Sequence, residues 1–86
     1  TDHALNEALL ACRTRNEMAA FLADLCTPQE INALAERWLL ARLLALGTLS
    51  YREIGTMTGA STTTIGRVAR FLQRERHHGY SLVLDR

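Results

Sequence analysis

Residues 49–71, Leu-Ser-Tyr-Arg-Glu-Ile-Gly-Thr-Met-Thr-Gly-Ala-Ser-Thr-Thr-Thr-Ile-Gly-Arg-Val-Ala-Arg-Phe, leave the chain few ways to fold. Ser50 followed three residues later by Glu53 is a capping-box start, in which the hydroxyl accepts from the Glu53 N–H and the carboxylate reaches back. Ile54 and Met57 give this first helix an apolar edge. Gly59 stands where a helix needs a residue of positive φ to stop, a conformation glycine adopts without a Cβ clash. Ser61 can cap the next helix. Within that second helix Ile65, Val68, Ala69 and Leu72 follow the i, i+3, i+4, i+7 spacing of a buried stripe. Thr63, Gly66, Arg67, Arg70 and Arg74 then fall near the opposite face. A small-residue tip followed by an arginine ridge suits a helix that enters the major groove and meets phosphates, so the run reads as a DNA-binding helix-turn-helix. The plainer alternative is a helical corner that packs a small bundle and binds nothing.

Charge supports the first reading through its distribution. The 86 residues carry a net charge of only +1, too little for a uniformly basic coat. Residues 50–76, however, hold Arg52, Arg67, Arg70, Arg74 and Arg76 against only Glu53 and Glu75, while residues 1–49 hold six acids and four arginines. Positive charge is thus collected on the half expected to read DNA. The chain has no lysine; arginine suits bidentate contacts to phosphate and guanine, although a coding bias explains its exclusive use equally well.

The rest of the chain reads as helices that need a partner. Residues 3–12 place Leu5, Ala8, Leu9 and Cys12 on one side of a first helix, and Thr14 with Glu17 opens a second whose apolar face is Met18, Phe21, Leu22 and Leu25. Thr27-Pro28-Gln29-Glu30 starts a third helix, with threonine as N-cap and proline at the first helical position, that runs to about Leu46 and stops at Gly47. Its second half is apolar almost all round, which marks a helix covered on more than one side. A chain of this size buries only about two-thirds of its unfolded surface, so a dimer with shared helices is the expected source of that cover.

Cys12 and Cys26 lack metal-type spacing and are expected to be buried free thiols. His77-His78 ends the second helix of the corner; adjacent histidines point apart and no third ligand is evident, so no metal is expected. The tail from Tyr80 is apolar enough to pack back as a short helix or extended piece. No signal peptide is evident and no apolar run reaches the roughly 18–20 residues of a membrane span, so the expected location is cytoplasmic.

Leu25-Cys-Thr-Pro-Gln-Glu-Ile, the long helix with Glu36-Arg37, Ser50-Tyr-Arg-Glu-Ile, Gly59-Ala-Ser-Thr-Thr-Thr-Ile-Gly-Arg67 and the closing Gly79-Tyr80-Ser-Leu-Val-Leu-Asp-Arg86 together resemble the Trp repressor superfamily, in its TrpR-like YerC/YecD branch. The resemblance covers nearly the whole chain. It implies an all-α fold, an intertwined homodimer with one helix-turn-helix per chain, and a single domain over 1–86. Within it 1–47 would form the dimerisation part, 48–76 the helix-turn-helix and 77–86 a C-terminal tail. Two-fold symmetry would set the reading heads about one DNA turn, ~34 Å, apart. The positions matching the repressor's groove-facing residues are Tyr51, Arg52, Gly55, Thr62, Thr63 and Gly66, and Arg67, Arg70 and Arg74 add phosphate contacts. Few of these side chains can make a bidentate base contact, so readout through water and DNA shape is expected, as is known of the Trp repressor itself.

The resemblance also implies an effector pocket. The repressor holds tryptophan between two arginines that match Arg37 and Arg67, near threonines that match Thr27 and Thr64. Val68 stands where the repressor has glycine, and Phe71 where it has serine. Phe71 falls on the same side as Thr64 and Arg67 and is expected to occupy the indole space itself. Duplex DNA and a second copy of the chain are therefore the expected partners, a small-molecule effector is left open, and no cofactor or catalysis is expected. The competing function is a helical interaction module that keeps the fold but binds a protein of the transcription machinery. That module would show an exposed apolar patch in place of the arginine ridge.

Overall fold

The computed structural model describes residues 2–74 and 77–86, and its ordered elements among them are all helices. In chain order they are α1 (Asp2–Ala11), α2 (Arg15–Leu25), α3 (Pro28–Leu46), α4 (Tyr51–Thr58), α5 (Thr62–Gln73) and α6 (Gly79–Leu84). Arg76, counted above with the basic half, lies outside the described residues.

The chain divides into two compact units, one ending at Asn32 and the other running from Ala33 to Arg86. The boundary falls inside α3 and not at residue 47, so most of the long helix belongs with the helix-turn-helix. In the first unit the caps form as the sequence expects, with one shift. Thr14 Oγ1 accepts from the Glu17 N–H at 3.1 Å, but Glu17 Oε1 accepts from the N–H of Arg13, one residue before the cap, at 2.7 Å. At the start of α3 the exchange is reciprocal: Thr27 Oγ1 accepts from the Glu30 N–H and Glu30 Oε1 from the Thr27 N–H. Neither α1 nor α2 buries a single residue. Cys12 and Cys26 are free thiols, half-buried and not buried as expected. Burial of these helices needs apolar surface that a single chain does not supply.

The second unit holds the core, formed by Leu40 and Ala41 of α3, Ile54 of α4, and Ile65, Val68 and Ala69 of α5. Trp38, Leu43, Leu44, Leu49, Ala60 and Tyr80 pack around this cluster. The expected stripe on α5 is thus inward, with Leu72 only half-buried at its end. Met57 departs from expectation. It is 61 % exposed, because α4 turns a single residue, Ile54, fully into the core before its glycine stop. Gly47 ends α3 at φ 72 and Gly59 ends α4 at φ 76, both in the left-handed region where a Cβ is strained. The tail is a short helix packed on α5.

Candidate nucleic-acid interface

The corner that sets the angle between α4 and α5 is fixed by hydrogen bonds at each turn. Ser50 Oγ accepts from the Glu53 N–H at 3.1 Å and Glu53 Oε1 accepts from the Ser50 N–H at 2.9 Å, closing the capping box. Those bonds, the backbone N–H first and the hydroxyl second, hold the Glu53 carboxyl below the ordinary carboxylate range. At the far end the Gly59 N–H donates to Gly55 O at 2.8 Å. Thr58 adds a clasp that sequence reading did not foresee: its hydroxyl donates to Ile54 O at 2.7 Å and accepts from the Ala60 N–H at 3.1 Å. The signal was a threonine directly before the stop glycine, where a hydroxyl commonly bonds the carbonyl four residues back. Ser61 Oγ then accepts from the Thr64 N–H and shares a hydrogen bond with the Thr64 hydroxyl, so both hydroxyls are spent on the cap of α5.

Around this corner the sequence-expected DNA residues separate into three groups. Thr62 and Thr63 stand exposed in the first turn of α5, and Arg52 is exposed on α4. Tyr51, Gly66, Arg70 and Arg74 come together with Ala69 and Gln73 around a notch of about 280 Å³ on the outer face. Gln73 was not anticipated, yet Gly66, Arg70, Gln73 and Arg74 follow i, i+4, i+7, i+8 along one face of α5. Gly55 is a correction. A Cβ there would face Ala60 O at 3.5 Å and the Ile65 Cδ1 at 3.7 Å, so the residue looks into the corner and serves the approach of the two helices.

Arg67 also departs from the simple ridge. Its guanidinium lies 4.5 Å from the centre of the Phe71 ring, and that of Arg70 lies 5.2 Å from the same ring, both within cation–π range. Arg67 thereby lines a second, open groove of about 510 Å³ with Val68, Phe71, Trp38, His77, Gly79, Tyr80 and Val83. His77 stacks on Phe71 at a centroid distance of 5.9 Å. Of the six residues expected to form an effector pocket, Arg67, Val68 and Phe71 meet here. Arg37 and Thr64 are half-buried on α3 and α5 without lining the groove, and Thr27 is committed to the cap of α3. Phe71 forms a wall of this space and does not fill it. Val68 is 1 % exposed and packs chiefly into the core. Tyr80 and Val83 were legible in principle, since they lie three apart in an apolar tail. Among the described residues no group of three or more potential metal ligands is present, and no helix is long and apolar enough to cross a membrane.

Comparison with known proteins agrees with this architecture. The family model described as Trp repressor protein matches residues 2–86. The uncharacterized protein YerC of Bacillus subtilis (strain 168) is 43 % identical over 82 residues, spanning 95 % of this chain and 77 % of that protein. A crystal structure of a TrpR like protein from Eubacterium eligens ATCC 27750 superposes with a TM-score of 0.89 at 36 % identity, covering 96 % of this chain and 84 % of the other. The family is one of DNA-binding regulators and not of enzymes. With the capped corner, the inward stripe of α5 and these matches over nearly all its length, the chain belongs to the Trp repressor family, among its YerC-type members.

Proposed function

We propose that the chain is a sequence-specific, duplex-DNA-binding transcriptional regulator that acts as a homodimer and does not depend on tryptophan. The observation that carries this reading is the outer face of the corner. There Tyr51, Gly66, Arg70 and Arg74 share one concave surface, beside a tip of exposed Thr62 and Thr63. Arg52, Arg70 and Arg74 bind phosphates, and Thr62 and Thr63 approach bases, with Gly66 bare toward the DNA one turn further on. This face carries guanidinium and hydroxyl groups where a protein-docking module would carry a broad apolar patch.

Pairing of two chains follows from what one chain leaves uncovered. Leu10 is 83 % exposed, and Leu5, Leu25, Leu34, Leu39 and Leu46 are exposed as well. A second copy supplies the natural cover, and a two-fold pair presents two reading heads to a near-palindromic site. Independence from tryptophan is supported by Val68 and Phe71, whose bulk stands at the effector positions of the repressor. Selection from random duplex DNA, run with and without L-tryptophan, tests all three statements. A palindromic site enriched equally in both arms is the expected result. Enrichment only with tryptophan would refute the effector reading, and a non-palindromic site would refute the two-fold dimer.

A further inference from the structure

Gly66 is a glycine without an internal reason. It is the fifth residue of the 12-residue helix α5, and its φ lies outside the left-handed region in which Gly47 and Gly59 sit. A Cβ built on it would meet nothing within 4 Å. Alanine would therefore fit and would strengthen the helix, since glycine is the weaker helix former. The fold gives no return for the missing side chain, which places the need for a bare surface outside the chain.

What surrounds that surface identifies the visitor. Gly66 and the nearly buried Ala69 form the floor of the 280 Å³ notch, and its walls are Tyr51, Arg70, Gln73 and Arg74. Every polar wall group can donate a hydrogen bond, two of them carry positive charge, and no carboxylate lines the notch. The start of α4, which could otherwise attract an anion, is closed: the Glu53 N–H is taken by Ser50 and the Glu53 carboxylate covers the Ser50 N–H. An anion on this face is thus held by side chains.

We propose that the notch seats one backbone phosphodiester of duplex DNA, with Arg70 and Arg74 supplying charge and Tyr51 and Gln73 as positioning donors. The inference rests on the DNA-binding reading above and deepens it: the phosphate grip is set apart from the base-reading tip at Thr62 and Thr63, and Gly66 serves the backbone. A methyl group on Gly66 would lift the phosphate off the floor and out of reach of the guanidinium groups.

The test is binding of a random-sequence duplex across a salt series, with thermal melts of the same proteins. Gly66→Ala should raise the Tm by about 4 °C while weakening binding about tenfold. Although it changes no charge, it should reduce the salt slope by about one unit, as loss of one phosphate contact requires. Arg70→Ala should lose a similar slope, and the double variant should lose little more, because both act on one phosphate. Tyr51→Phe should weaken binding several-fold with the melt unchanged. Wild-type affinity and slope in Gly66→Ala would overturn the seat, and so would a fall in Tm alongside the fall in affinity, the mark of a structural glycine. Failure of the wild type to bind any duplex would overturn the DNA-binding reading itself and the seat with it, an outcome read in a different arm.

Discussion

The Ser50–Glu53 box shows how much a single pair of residues decides. The box orients the first turn of α4, and with it Tyr51 and Arg52 at the edge of the reading face. A carboxyl whose folded pKa is depressed stabilises the fold above its unfolded pKa. That contribution is lost as the pH falls through the depressed value. The Glu53 contribution is therefore intact at neutral pH and disappears only in acid, below the ordinary carboxylate range. Side-chain NMR titration should give Glu53 a midpoint below that of an unstructured glutamate, and Ser50→Ala should move it back up. The same substitution should cost about 1 kcal/mol in denaturant unfolding, as loss of an N-cap does. An unmoved midpoint would mean that the cap does not set the titration. Caps of this kind were legible in the sequence because both partners lie within one turn. The direction in which Gly55 faces was not, because it depends on where Ala60 and Ile65 return in space.

At the scale of the element, α4 and α5 differ in what their glycines do, and one substitution separates them. Gly59 ends α4 at φ 76 with open space around its missing Cβ. Alanine there meets no atom, so its cost is conformational, roughly 1–2 kcal/mol for a left-handed L-residue. Gly59→Ala should lower the Tm while Gly66→Ala raises it, two identical changes seven residues apart with opposite signs. Equal shifts in both would refute the assignment of conformational need to Gly59 alone. The helical period gave the buried stripe of α5 correctly, since Ile65, Val68 and Ala69 are fixed by one repeat. It gave the outer arginines only as a single ridge. Their separation into a notch and an aromatic groove depends on Phe71 drawing the Arg67 guanidinium toward its ring, a contact that spacing alone does not reveal.

For the whole molecule, the first two helices are the telling part. They form, they are capped, and they bury nothing. The proposed dimer makes folding and assembly one equilibrium, so the Tm should rise with protein concentration over the range where pairs form. Leu10→Glu should remove that dependence and yield a monomer in sedimentation. A Tm independent of concentration together with a monomeric wild type would end the dimer reading. The long helix foretold this need, since apolar residues on every side exceed what one small chain can cover. The place where the chain divides, after Asn32, was not legible: helix propensity runs unbroken through α3, and only packing marks the boundary.

The end of the chain has a different character from its centre. His78, the only described non-glycine residue of positive φ, opens α6 at φ 56 without a side-chain cap, and the six residues that follow bury none of their number. Nothing at its own N-terminus holds this helix; Tyr80 resting on the core does. Helices held in this way belong to the low end of the local stability scale and detach first as a native protein breathes. Since α6 also walls the groove beside Trp38 and Phe71, that groove is not a fixed vessel but a population average. Whatever enters it must bind tightly enough to keep its own wall in place.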